Sequence, residues 1–172
     1  LFHFIHEGHF KTMARSTMKV SNVYRDYFYE RAPSLRNVNG NMVRNSRHSI
    51  DLGAVLSKPD GTMINEAGLY NEKPATRKHE FKGDCYLLVN RDSYSAASSF
   101  ASTFQCYQMG NVIGEITGGT KIFRANAMYE VLGKSKVVIA MSTTKLYTAC
   151  YDKDMEGVTP NIEFIPSITD IA

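Results

Sequence analysis

The sequence has no tryptophan, and only 5 prolines and 3 cysteines among its 172 residues. Because no apolar run approaches the roughly 18 residues that a bilayer-crossing helix needs, we expect no membrane-spanning segment. Lysine and arginine form no block, and 20 basic against 17 acidic residues give a net charge of only +3, so nucleic acid is not an expected partner. The remaining composition, 43% hydrophobic and 22% charged residues, is ordinary for one globular domain.

The three cysteines, Cys85, Cys106 and Cys150, have spacings that match no metal-binding motif. Cys85 opens an apolar stretch and Cys106 falls within a predicted helix, so we first interpret the cysteines as small buried side chains. A disulfide is the second interpretation. Cysteine usage therefore does not decide whether the protein works in an oxidising compartment.

Three histidines near the start of the chain, His3, His6 and His9, recur at every third position. On a helix they would spread over about 120° and would not converge on one ion. The segment from His6 to His9 also lacks the two-residue gap of the zinc-protease motif HExxH. We therefore expect surface or helix-capping histidines and no metal ion bound by them.

Helices and strands alternate in the second half of the chain, which predicts an α/β fold. Residues 34–80 are the hardest to interpret, although Asn39-Gly40 and Pro59-Asp60-Gly61 are turn signals of one or two exposed hairpins. The predicted helices are the tail of one at 2–8, one capped by Ser21, and one at 95–109. The predicted strands are 12–20, 85–90, 111–115, 122–131 and 135–142, followed by an extended segment at 157–165.

The most informative stretch runs from Cys85 to Lys121. It is predicted to be a buried strand, a tight connection, a helix that opens on Ser95, and a second strand closed by Gly118-Gly119. Ser95 would then lie beside free backbone N–H groups and the positive end of the helix dipole. Such a site can stabilise a negative oxygen formed in acyl transfer. Turn or solvent-facing positions are expected for the neighbouring Ser93, Ser98 and Ser99.

Short segments in a fixed order carry a family resemblance. They are Leu-Val-Asn-Arg ending at Arg91, Ser-Tyr-Ser-Ala-Ala ending at Ala97, and Ile-Gly-Glu-Ile-Thr-Gly-Gly ending at Gly119. The closing Gly-Val-Thr-Pro-Asn-Ile segment at 157–162, and the Phe-Lys pair at 10–11 followed by Lys-Val-Ser, extend the likeness over most of the chain. In this order the segments resemble the C-terminal processing peptidases, also called tail-specific proteases.

The resemblance implies a ClpP/crotonase-like α/β fold, with a mixed sheet flanked by helices, and serine endopeptidase chemistry that needs no cofactor. It implies that Ser95 is the nucleophile and that the N–H of Ala96 is one oxyanion donor. The family's second donor belongs to a glycine-rich segment that this sequence does not contain, and the first residue is Leu1. We therefore expect residues 1–172 to form a single domain that is the C-terminal part of a longer catalytic domain, and to be inactive alone.

The sequence departs from the family at the residue that would activate the serine. A serine hydroxyl is a poor nucleophile until a base takes its proton. Many members of the family that this chain resembles use the lysine of Gly-Glu-Pro-Thr-x-Gly-Lys as the base. The position of that lysine corresponds to Thr120 in this sequence, one residue before Lys121. In an extended segment a one-residue slip turns the side chain to the opposite face, so we expect Lys121 at the surface.

Branches of the family without this lysine resemble the chain better, and they use a Ser–His–acid triad. Their histidine lies upstream, and their acid lies shortly before the closing segment, at Asp154 in this sequence. The resemblance implies that Asp154 orients the histidine. The alternative is an ordinary loop carboxylate, as we expect for Asp152 and Glu156. Whether the base is an upstream histidine or Lys121 stays open.

Two rival functions come from other classes. The first is an inactive ligand- or peptide-binding protein on the same scaffold, similar to retinoid-carrying relatives, which the departure at Thr120 keeps open. The second is a crotonase-type acyl-CoA enzyme, in which Ser95 would have no special role. By the resemblance we expect a protein or peptide substrate and an extracytoplasmic location, in the periplasm or cell envelope. The sequence does not decide the substrate or the oligomeric state.

Overall fold

A computed structural model of the chain describes residues 2–6, 8–31, 55–72, 81–152 and 155–167. The predicted α/β class is confirmed. The helices are α1 (Phe2–Ile5), α2 (Asn22–Arg31) and α3 (Ala96–Cys106). The strands are β1 (Phe10–Lys19), β2 (Met63–Glu72), β3 (Tyr86–Val89), β4 (Asn111–Gly114), β5 (Ile122–Val131), β6 (Val138–Thr148) and β7 (Ile162–Glu163). Among these described residues, no helix is long and apolar enough to cross a membrane.

The chain divides into two compact units. The first contains the described residues of Leu1–Arg15, Tyr70–Phe123 and Tyr147–Ala172, and the second those of Ser16–Leu69 and Arg124–Leu146. Ser95, Ala96 and Lys121 belong to the first unit. The expectation that residues 1–172 form one domain, cut from the C-terminal part of a longer catalytic domain, stays a prediction.

A three-stranded parallel sheet organises the first unit, in the order β3-β4-β7. Leu88 pairs with Ile113, and Ile113 pairs with Ile162 on its other side. Parallel neighbours need a crossover connection, which α3 supplies between β3 and β4. A glycine at the end of β4 is required, because a Cβ at Gly114 would collide with the carbonyl of Val89. The segment that carries Ser95 follows directly after the carboxyl end of β3, at Val89.

Helix α3 packs its apolar face against this sheet. Ala101 and Phe104 are buried with Val89 and Val112, and Phe10 from β1 completes the cluster. The spacing of Ala101 and Phe104 places both side chains on one helical face. Truncating a buried phenylalanine costs about 3–5 kcal/mol, so Phe104 is a main anchor of the helix that begins beside Ser95.

The second unit has its own apolar cluster, formed where α2 packs on strand residues. Met18, Tyr24 and Met128 are buried there. The predicted cap is confirmed, because Ser21 Oγ accepts a 3.1 Å hydrogen bond from the Tyr24 N–H. Burial raises the pKa of the Tyr24 phenol to about 12, since the charged form loses its hydration. The larger sheet has the order β2-β1-β6-β5.

Several boundaries differ from the sequence predictions. Helix α3 ends at Cys106 rather than at 109, and β6 continues to Thr148 rather than ending at 142. The turn at Pro59 is confirmed by a 3.2 Å bond from the Thr62 N–H to the Pro59 carbonyl. Strand β2 follows this turn as a hairpin requires, but Val55 and Leu56 before it are helical, so the expected hairpin is not formed there. Asn39-Gly40 lies outside the described residues.

The interpretation of all three cysteines as separate buried side chains is wrong. Cys106 and Cys150 form a disulfide with a Cα–Cα distance of 5.6 Å, while Cys85 is free and half-buried. The bond ties the last residue of α3 to the turn after β6. The disulfide closes a loop across 44 positions of sequence. The entropy that the unfolded chain loses by this closure corresponds to about 4 kcal/mol of stability. The disulfide therefore stabilises the end of the helix that Ser95 opens.

Candidate active site

A tight turn connects β3 to the segment that carries Ser95. The Ser93 N–H donates to the Asn90 carbonyl at 3.0 Å, and the Ser93 hydroxyl accepts from the Asn90 N–H at 3.2 Å. These two bonds close the chain on itself immediately after the strand. Ser93 is thus a turn residue, as the sequence predicts.

Ser95 has a backbone conformation that residues other than glycine rarely adopt. Its φ is 53° and its ψ is −113°, and the Ala97 N–H donates to the Tyr94 carbonyl at 3.0 Å. These angles match the first central position of a type II′ turn, about +60° and −120°, which usually holds glycine. A serine there costs about 1–3 kcal/mol, and such strain clusters at functional sites. The conformation holds the side chain out of the turn, where Ser95 is exposed.

The Ser95 side chain does not cap the helix that follows it. It lies at the N-cap position of α3 but makes no capping hydrogen bond. The Ala96 N–H is the first donor of the helix and has no acceptor within it. The Ser95 hydroxyl and the Ala96 N–H therefore belong to adjacent residues at the positive end of the helix dipole. This is the arrangement that an oxyanion formed on Ser95 would need.

Ser98 and Ser99 were expected to face solvent, and that prediction is wrong. Their exposed fractions are only 1% and 8%. Both contact the Ser95 carbonyl: the Ser98 hydroxyl donates to it at 3.0 Å, and the Ser99 N–H donates at 2.9 Å. Both serines are therefore buried and held by hydrogen bonds to the turn before α3.

The glycine segment after β4 lies against the Ser95 turn. The Gly119 N–H donates to the Ser93 carbonyl at 2.9 Å. A Cβ at Gly119 would lie 2.9 Å from the Ser98 Cβ and from the Tyr94 Cα, closer than real contacts allow. Thr117 fixes the segment, because its hydroxyl donates to the Gly119 carbonyl at 2.7 Å. The glycine segment therefore packs directly on the turn that carries Ser95.

The closing segment 157–162 is held against α3 and β4. The Asn161 side-chain oxygen accepts from the Val112 N–H at 2.9 Å, and the Asn161 N–H donates to the Val112 carbonyl at 2.8 Å. Gln105 in α3 donates to the Thr159 carbonyl at 2.7 Å. Asn161 thus pairs with β4 through both its backbone and its side chain.

Lys121 is not the surface residue that the sequence predicts. Its side chain is 17% exposed, and its Nζ donates to Asp152 Oδ2 at 2.7 Å. Its backbone is held as well, since its N–H donates to the Glu156 carbonyl and its carbonyl accepts from the Thr148 N–H, both at 3.0 Å. Asp152, expected to be an ordinary loop carboxylate, is therefore an ion-pair partner.

Asp154, the candidate acid, lies outside the described residues, as do His48 and His79. The ring of His3 lies 5.1 Å from that of Phe10, and the ring of His6 lies 5.6 Å from that of Tyr107. In the part of the chain that the structure describes, no group of three or more His, Cys, Asp and Glu side chains could hold a metal ion.

Comparison with known proteins gives the family. The sequence model of peptidase family S41 matches residues 18–164. Among solved structures, a serine-to-alanine mutant of CPAF shares 14% identity and a TM-score of 0.57, over 99% of this chain and 36% of that one. The photosystem II D1 C-terminal processing protease shares 22% identity and a TM-score of 0.42, over 58% of this chain and 25% of that one.

The chain thus spans 36% and 25% of the lengths of these two proteins. At such identities the CPAF match shows the fold alone. The match to the family model covers most of the chain and includes Ser95 and the closing segment. The resemblance stated from the sequence is confirmed, and the chain belongs to peptidase family S41.

Proposed function

We propose that the chain carries the nucleophile of a serine endopeptidase of the tail-specific, or C-terminal processing, type, which acts through an acyl-enzyme on Ser95. The observation that carries the proposal is the type II′ turn at Ser95, with φ at 53° and a side chain that makes no capping hydrogen bond. A strained strand-to-helix turn that exposes a serine is a recurrent device for presenting a nucleophile. Membership of peptidase family S41 supports the same chemistry.

The proposed reaction begins when Ser95 Oγ attacks the carbonyl carbon of a peptide bond and a base takes the hydroxyl proton. The negative oxygen of the tetrahedral intermediate accepts a hydrogen bond from the Ala96 N–H. The base then gives its proton to the leaving amine, and water hydrolyses the acyl-enzyme. Losing one such oxyanion donor typically lowers kcat about 10²–10³-fold. By the family resemblance, the second donor comes from a glycine-rich segment that these residues do not contain.

We propose that the base is a histidine oriented by Asp154, and not Lys121. The Lys121 Nζ already donates to Asp152, and a lysine acting as a base would have to give up that bond. Asp154 stands in the short segment between Asp152 and the closing segment, which agrees with the place of the acid in the triad branches. In such a triad the carboxylate holds the histidine in the useful tautomer and stabilises its charged form.

The proposed substrate is a protein or peptide, and the proposed location is extracytoplasmic. The disulfide between Cys106 and Cys150 supports the location, because structural disulfides persist in oxidising compartments. We propose no metal and no organic cofactor, since the acyl-enzyme route needs neither.

Fluorophosphonate labelling tests this proposal, because the reagent modifies only activated serines. The polypeptide that contains this chain is labelled as wild type, as Ser95→Ala, and as the control Ser93→Ala. We expect labelling of wild type and Ser93→Ala and none of Ser95→Ala. If folded wild type is not labelled but takes up a peptide or an apolar ligand, the binding-protein alternative replaces the enzyme.

A further inference from the structure

The hydroxyl of Ser98 contacts the peptide unit that joins Ser95 to Ala96. We propose that Ser98 is a positioning residue that sets the direction of the Ala96 N–H, the donor to the oxyanion. The proposal rests on the proposed function, because it assigns a purpose to the same site. Ser98 touches neither the substrate nor the reacting atoms and acts through the backbone.

Two donors hold the Ser95 carbonyl. The Ser98 hydroxyl donates to it at 3.0 Å from one turn further along α3, and the Ser99 N–H donates at 2.9 Å. A carbonyl oxygen has two lone pairs, so both are occupied. With both bonds in place, the carbonyl cannot rotate without losing one of them.

The peptide bond transmits this constraint. In a planar trans peptide the C=O and N–H vectors point in opposite directions, so fixing the Ser95 carbonyl fixes the Ala96 N–H. An oxyanion donor is effective only within about 2.7–3.1 Å of the place where the charge forms, so a small rotation weakens it. The strained φ of Ser95 makes such a rotation favourable unless other contacts oppose it.

Ser98 is also shielded, so water cannot easily replace its hydroxyl. It is 1% exposed, and Gly119 closes over it. A Cβ at Gly119 would meet both the Oγ and the Cβ of Ser98. Removing the hydroxyl therefore leaves the Ser95 carbonyl with one donor and no substitute.

The same helix offers a matched control at Ser102. Its side chain is also buried, at 4% exposed, and its hydroxyl donates to Thr148 Oγ1 at 2.8 Å. Replacing Ser102 or Ser98 by alanine removes one buried hydroxyl hydrogen bond from α3, at a similar cost in stability. Only the Ser98 bond reaches the Ser95–Ala96 peptide.

The kinetic test compares Ser98→Ala and Ser102→Ala in the polypeptide that contains this chain. We expect Ser98→Ala to lower kcat about tenfold with KM unchanged, because the lost interaction serves the transition state. Ser102→Ala should change kcat less than about twofold at an equal loss of thermal stability. Equal kcat values for the two variants, or a loss confined to KM, would overturn the proposal.

A spectroscopic test on the same polypeptide does not depend on activity. The carbonyl carbon resonance of Ser95 and the amide resonance of Ala96 are compared in the same two variants. We expect both resonances to move in Ser98→Ala and to stay in place in Ser102→Ala. If the two resonances do not move in Ser98→Ala, the positioning role is overturned. If they move but the wild-type polypeptide hydrolyses no peptide, the proposed function is overturned instead.

Discussion

The backbone N–H of Gly119 donates a 2.9 Å hydrogen bond to the carbonyl of Ser93. This bond joins the glycine segment after β4 to the turn before Ser95, across 26 positions of sequence from 93 to 119. The approach leaves no space for a side chain, because a Cβ at Gly119 would lie 2.9 Å from the Tyr94 Cα. The conformation of Ser95 is thus held from two sides, by α3 and by this segment.

Gly119→Ala should disturb that contact. The new methyl group meets backbone on one side and Ser98 on the other, so we expect a loss of about 1–3 kcal/mol in the free energy of unfolding. Fluorophosphonate labelling of Ser95 should slow about tenfold or more. Gly133→Ala is the control, since nothing lies within 4 Å of a Cβ there. Equal effects of the two substitutions would contradict the role assigned to Gly119.

Asp154→Asn tests the triad assignment. The amide keeps the shape of the carboxylate but cannot stabilise a charged histidine, so kcat should fall by up to about 10⁴-fold while the fold persists. The measurement is peptide hydrolysis by the parent polypeptide, with circular dichroism to establish folding. Activity equal to that of wild type would show that Asp154 is an ordinary loop carboxylate.

Lys121→Gln separates the two candidate bases. Removing a general base costs about 10²–10⁴-fold in rate, whereas removing the partner of Asp152 should leave kcat within about threefold of wild type. We expect the smaller effect, because Lys121 donates to Asp152. A loss of several hundredfold, with the fold intact, would make Lys121 the base.

Removing the disulfide should lower stability without abolishing the fold of the first unit. Cys106→Ser with Cys150→Ser frees the end of α3, and urea unfolding should show a loss of up to about 4 kcal/mol. Cys85→Ser is the control because that thiol is free and half-buried. A double variant as stable as Cys85→Ser would contradict the pairing.

The Tyr24 phenol gives a prediction for alkaline pH. Its pKa is raised by burial to about 12, above the value of 10.0 for an exposed tyrosine. As pH rises, the unfolded state therefore loses the phenol proton before the folded state does. The contribution of the protonated phenol to the free energy of unfolding is complete below pH 10 and is lost as pH rises toward 12. Over that range wild type should lose about 3 kcal/mol more than Tyr24→Phe in the free energy of unfolding. Parallel loss in the two proteins would show that the phenol titrates normally.

Local pattern was enough to predict the Ser95 turn. A short apolar run, a polar turn and an apolar helical face follow one another within a few residues, so the sequence places Ser95 at the start of α3. The alternation in β5 likewise gave its bounds, Ile122–Val131. The bounds of β2 were not predicted because Met63–Glu72 is rich in polar residues and contains a glycine at φ 68°.

The failed predictions share a cause, which is contact between distant parts of the chain. Serine is usually exposed, but Gly119, which is distant in the sequence, packs against the side chain of Ser98. Cys106 and Cys150 are separated by 44 positions, and spacing alone does not reveal a pair. Lys121 pairs with Asp152, which lies 31 positions away. The alternation of side chains along a strand does not reveal such a partner, so the low exposure of Lys121 was not predicted.

The central claim is that Ser95 becomes acylated during turnover. The most direct measurement is acid quenching of the parent polypeptide during hydrolysis of an activated peptide ester, followed by mass spectrometry of its digest. The account predicts an acyl group on Ser95, in the peptide that begins at Asp92, and none in Ser95→Ala. Hydrolysis of the ester by Ser95→Ala at the wild-type rate, or an acyl group on another residue, would contradict it.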